Sequence, residues 1–203
     1  MRKTLLVLLL VAAVLSSAFA AKDSSVMLGL SSGYSQLVSF HENADSTSMD
    51  IVPVKADALF YLGDSFALNV ALGMDIYLPE IDGADAQTGF VADILAYYRL
   101  KAGDSFSLLI GGGASYRYLG LSEEVPGVTG TVSNHSLALL ASLRLQLDIS
   151  DHISAFAGAD AGYNVWNASG VSYESEHISG SDVEPYDANI MPWAVKAGIN
   201  YRF

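Results

Sequence analysis

Between Leu137 and Asp148 the chain alternates with a period of two. Leu137, Leu139, Ala141, Leu143, Leu145 and Leu147 share one parity, and Ala138, Leu140, Ser142, Arg144, Gln146 and Asp148 share the other. Successive side chains of a strand point to opposite faces, so this period over a dozen residues specifies strand rather than helix. Ser65 to Leu78 repeats it, with Phe66, Leu68, Val70, Leu72, Met74, Ile76 and Leu78 on one face. Eight segments read this way, at 25–39, 50–62, 65–78, 89–101, 105–118, 136–149, 153–166 and 189–203. Short turn signals at Gly63-Asp64-Ser65, Ala102-Gly103-Asp104 and Ser150-Asp151-His152 alternate with longer links at 40–49, 79–88, 119–135 and 167–188.

The two faces are unlike those of a soluble sheet. The apolar face is almost free of charge, and many of its aromatics fall near strand ends: Phe60, Phe66, Tyr98, Phe106, Tyr116, Tyr118, Tyr163, Trp193, Tyr201 and Phe203. The other face is rich in Gly and Ala. It carries the cations Lys55, Arg99, Arg117, Arg144, Lys196 and Arg202 against the anions Asp57, Asp75, Asp93, Asp148 and Asp160, and no Glu. An exposed surface would show many more charges, whereas near balance among small residues suits an enclosed space where charges pair. The apolar face therefore meets lipid, with aromatics at the two interfaces. An open sheet edge in lipid leaves backbone groups unpaired, so the eight strands must close, the last against the first.

The ends of the sequence agree with export. Met1-Arg2-Lys3 precedes an apolar run, Leu5 to Leu15, and Ala18-x-Ala20 is a small-x-small cleavage site, so residues 1–20 read as a secretory signal peptide and 21–203 as one barrel domain. Eleven apolar residues are too few for a span, which needs about 20. No Cys is present to form disulfides or carry a lipid anchor. The net charge of −12 lacks the basic footprint of a nucleic-acid binder.

With its leader, its eight alternating segments and a terminal strand from Trp193 to Phe203 that stops on an aromatic, the chain resembles the small eight-stranded bacterial outer-membrane barrels of the OmpA-domain, OmpX and opacity-protein type. The resemblance implies an all-β, eight-stranded antiparallel up-and-down transmembrane β-barrel in the outer membrane, in contact with its lipid and monomeric. It also implies that Tyr201 and Phe203 form the terminal signal read by the barrel-assembly machinery. Short turns then face the periplasm and long links face outward.

The long links and their edges hold carboxylates such as Glu42, Asp45, Asp50, Glu80, Glu123, Glu174, Asp182, Glu184 and Asp187, and no Lys or Arg. They read as a solvated acidic exterior, or as attraction for cations or a basic partner. The last link holds Tyr173, His177, Val183, Pro185 and Tyr186 and is expected to fold over the barrel mouth. No chemistry stands out. Gly111-Gly112-Gly113 lies mid-strand without a following Lys, unlike a phosphate loop. His135-Ser136 has no hydrolase motif around it, and His41, His135, His152 and His177 lack metal-ligand spacing. No cofactor, metal or catalytic site is expected. An eight-stranded barrel is just wide enough for side chains to fill, so the inner charges are expected to plug the lumen. The expected role is an envelope scaffold or adhesin-like surface protein meeting a host or surface ligand. The alternative is a narrow channel for small solutes or cations, ahead of a lipid-modifying enzyme or a soluble ligand-binding barrel.

Overall fold

A computed structural model describes residues 26–41, 44–78, 86–125, 128–175 and 179–203. The expected leader, residues 1–20, lies outside them. The strands are β1 Val26–His41, β2 Ala44–Leu62, β3 Phe66–Tyr77, β4 Gln87–Lys101, β5 Phe106–Val125, β6 Val128–Asp148, β7 Ile153–Ser175, β8 Ser179–Pro185 and β9 Asn189–Arg202. All pairings are antiparallel, neighbour to neighbour from β1 to β7. β9 lies between β7 and β1 and closes a ring of eight, with Met27 opposite Arg202 and Ile153 opposite Tyr201.

The ring turns its alternating apolar face outward. Leu30, Phe66, Leu72, Met74, Ile94, Leu139, Leu143, Val195 and Ile199 are all exposed there. A closed ring with an apolar exterior leaves no unpaired edge in hydrocarbon and is a transmembrane barrel. Aromatics gather at both ends of the outer wall. Phe66 meets Tyr98 edge-on at 5.6 Å near the turns, and Tyr118 and Trp166 flank His135 near the opposite rim. In the turns at Gly63 and Gly103 the backbone takes φ of 74° and 86°, the left-handed region that glycine alone enters freely.

Two expectations are corrected. The links at 40–49 and 119–135 are not long loops: β1 runs to His41 before β2 starts at Ala44, and β5 runs to Val125, which pairs with Val128 of β6. The β-branched residues Val128, Thr129, Thr131 and Val132 suit extended chain, and the ladder continues through them. Glu123 and Glu124 consequently lie on a strand, although no Glu was expected on one. The last link also forms a hairpin. β8 adds a ninth strand that pairs only with the outer half of β7, Ala168 opposite Pro185 through Glu174 opposite Ser179. Among the described residues, Tyr186 reaches the mouth, while the hairpin continues the sheet of β5, β6 and β7 rather than folding over the opening.

Candidate functional site

Strand parity sends Lys55, Asp57, Asp75, Asp93, Arg99, Arg117, Arg144, Asp148, Asp160, Lys196 and Arg202 to the inner wall. They sit in tiers. At the turn end, Arg202 Nη2 meets Asp148 at 3.1 Å, and Arg99 lies 4.2 Å over the Tyr61 ring while its Nε donates to Ser107. Higher up, Lys196 Nζ bonds Asp160 at 2.7 Å, and Asp160 also accepts from Ser142. Next, Lys55 Nζ bonds Asp93 at 2.6 Å, with Ser115 donating to the second oxygen. Uppermost, Arg117 Nε faces Asp75 at 3.0 Å and its Nη2 donates to Ser35. Asp57 accepts from Ser31 and Asn69, and no cation among the described residues lies within ion-pair distance of it. Lys101, of the same parity, leaves the lumen and bonds Asp64 across two turns. There Lys101 holds the Asp64 carboxyl below its usual range, mainly through the hydrogen bond.

Charge alone does not fill the lumen. Met27, Leu59, Tyr61, Ala67, Leu95, Tyr97 and Leu109 point inward and pack as one buried cluster between the lowest ion pair and the upper tiers. The inner face was expected to be small and polar, and this apolar disc was not anticipated. Inward glycines make room for it. Tyr97 pairs with Gly111, which pairs with Ser142, and the Tyr97 side chain crosses that glycine to place its hydroxyl 2.8 Å from Ser142. A Cβ at Gly111 would stand 1.9 Å from the Ala96 carbonyl oxygen, where no side chain fits. The mid-strand glycines therefore serve close packing, not phosphate binding.

Above Arg117 the barrel opens into a cavity of about 390 Å³. Its floor is formed by Tyr77, Leu119 and Leu37, which pack on the buried Ile51. Asn134 and Ser136 of β6, Asn164 and Asn167 of β7, and Tyr186 line its wall. A bulge between Leu137 and Ala138 sets Leu137 opposite Trp166 but Ala138 opposite Asn164. Both asparagines thereby face inward despite a spacing of three, and Asn164 Nδ2 donates to Asn167 Oδ1 at 2.8 Å. Sequence parity carries no trace of a bulge, so this wall was not foreseen. At the other mouth a shallower cavity of about 360 Å³ is bounded by Arg99, Lys101, Asp148 and Arg202. The ion-pair tiers and the apolar disc lie between the two.

Neighbouring residues on a strand face opposite ways, and this divides His135 from Ser136. Both positions border the cavity, but the His135 ring joins the outer aromatics, its Nδ1 2.8 Å from the Tyr116 hydroxyl. The two do not form a hydrolase pair. Among the described residues no cluster of three His, Asp or Glu stands where a metal ion would be held. Tyr201 and Phe203 meet edge-on at 5.1 Å and are exposed at the turn end.

No protein-family model matches the chain, and no curated protein matches it in sequence. Solved structures do share its fold. A major outer-membrane protein of Thermus thermophilus superposes with a TM-score of 0.63 at 8% identity, over 89% of this chain and 100% of the other. Neisserial surface protein A gives 0.58 at 11% identity, over 90% and 100%. The outer-membrane protein OprG of Pseudomonas aeruginosa gives 0.51 at 12% identity, over 89% and 97%. The chain thus has the fold of the small bacterial outer-membrane barrels that its sequence resembles.

Proposed function

We propose that this outer-membrane barrel is a closed scaffold that acts through its exterior, as an envelope or adhesin-like surface protein. The observation that supports this best is the stacked plug between the two mouths, the ion pairs Lys55–Asp93, Lys196–Asp160 and Arg117–Asp75 with the apolar disc. A further support is the outward reach of β5 to β8 beyond the apolar band, where Asp182, Glu184 and Asp187 are exposed. Its surroundings on this reading are outer-membrane lipid on the barrel wall and a host or surface ligand at the outer end, with the barrel itself a monomer. The resemblance gives Tyr201 and Phe203 a role as the signal for the assembly machinery, and their exposure leaves them available for it.

The test is single-channel conductance of the folded protein in a planar bilayer. Silence is the expected result. Steady cation-selective steps would establish the narrow channel instead, with the two mouth cavities as its vestibules.

A further inference from the structure

We propose that the outer cavity binds a neutral saccharide, such as the uncharged end of a surface glycan. The inference rests on the outward-acting reading above and gives it a ligand class. Four properties of the cavity carry it.

The first is the chemistry of the wall. Asn134, Asn164 and Asn167 supply amides, which donate and accept at once, and Ser136 adds a hydroxyl; Asn164 donates one bond to Asn167 and Asn167 one to the Ala188 carbonyl, so each keeps part of its capacity for a ligand. Sugar hydroxyls likewise donate and accept, and paired amides match them without needing a charge. The second is the presence of aromatic faces. Tyr77 closes the floor and Tyr186 stands at the side, with Tyr186 40% exposed. Apolar ring faces of this kind cover the C–H face of a pyranose and leave its hydroxyls to the amides. The third is size. At about 390 Å³ the cavity falls within the roughly 300–1,000 Å³ of small-ligand sites, and it opens outward while the plug closes it below.

The fourth property is charge, and it makes the ligand neutral. Among the described residues, Arg117 is the one permanent charge lining the cavity, and Asp75 already holds it. None of the described lining residues is a carboxylate, so no cation is called for. Above the rim, Glu184 lies opposite Ser169, itself opposite Asn134, and Asp182 lies opposite Val171 two positions along the same strand pair. Those carboxylates repel uronates, sialic acids and sulfated sugars from the entrance. A lipid chain would fit the apolar part of the lining but would strip water from Asn134, Ser136, Asn164 and Asn167 without replacement.

The experiment is titration calorimetry of the folded protein in a detergent without a sugar headgroup. The probes are glucose, galactose, N-acetylglucosamine, maltose and lactose, with sialyllactose and heparin disaccharides as acidic counterparts. At least one neutral sugar is expected to bind and the acidic ones not. Tyr186→Ala and Asn134→Ala each remove one contact at the cavity wall and are expected to weaken binding about tenfold, the equivalent of 1.4 kcal/mol. Lys101→Ala, at the far mouth, leaves binding unchanged. Gel mobility before and after heating verifies that each variant is folded.

No heat with any neutral sugar overturns the proposal, as does preference for the acidic probes or binding indifferent to both cavity variants. These outcomes are separable from failure of the broader reading. Conductance steps would end the closed-scaffold reading whatever the sugars do, whereas a silent barrel that ignores sugars loses only its ligand.

Discussion

Arg144 holds its guanidinium carbon 3.5 Å from the centre of the Phe156 ring. Its Nη1 donates across the lumen to Asn69 at 3.4 Å, and among the described residues no carboxylate comes within ion-pair distance of it. The side chain is 1% exposed, and it fills the lumen as much as it charges it. A desolvated cation–π contact contributes about 2 kcal/mol. Arg144→Ala is therefore expected to lower the urea midpoint in lipid and to admit brief conductance steps in a planar bilayer. Arg144→Met refills the volume and should restore silence. Equal conductance from both variants would show that the charge, not the bulk, closes this tier.

Lys55 and Asp93 form a dry pair, with side chains 10% and 1% exposed. Removing one partner of a buried pair typically costs about 3–5 kcal/mol, while replacing both with apolar groups is often neutral. Lys55→Met should fall in that range by urea unfolding, because Asp93 then keeps the Ser115 hydrogen bond but has no cation in direct contact among the described residues. The double variant Lys55→Met with Asp93→Leu should recover most of the loss. A double variant no better than the single would mean that the pair organises more of the lumen than its own two charges.

Gly111 tolerates no side chain. A Cβ there would meet backbone, the Ala96 carbonyl oxygen, and Tyr97 must cross this position to reach Ser142. Gly111→Val is expected to destabilise the barrel by about 1–3 kcal/mol through forced backbone shifts. By contrast, Gly103→Asn at the turn, where a Cβ meets nothing and Asn accepts positive φ, should be close to neutral in the same unfolding assay.

The outer hairpin is an addition to the ring. Among the described residues β8 pairs with β7 alone, and every strand of the barrel proper has both neighbours without it. Replacing residues 169–184 with a short glycine-containing turn also takes β7 away from residues 128–134 of β6, yet should leave the unfolding midpoint and the heat-dependent gel mobility close to unchanged, because the ring below stays paired. A large loss of either would show that the extended sheet supports the barrel beneath it.

Much of this architecture is legible from parity. The alternation around Leu143 and Met74 assigns inside and outside correctly because lipid and lumen impose opposite demands on adjacent residues. Strand ends and irregularities leave no such mark. The ladder of β5 and β6 runs on to Val125 and Val128, where the alternation in the sequence fades although pairing continues. The bulge beside Ala138 shifts Asn167 to the inner wall with no trace in composition. The inner apolar disc escapes notice for a different reason. Leu59, Leu95 and Leu109 sit inward among polar neighbours, and single apolar residues on a mixed face look like exceptions until the curvature of the ring brings them together.

β9 is held on one side by β1 and on the other by β7, with Met27 opposite Arg202. The contact that seals the ring therefore joins residues far apart along the chain, the kind of pairing whose loop-closure cost slows folding most. Until that strand arrives, β1 and β7 each present a bare edge that hydrocarbon does not tolerate. The barrel cannot enter the bilayer one hairpin at a time, and crossing the membrane and closing the seam become a single kinetic event.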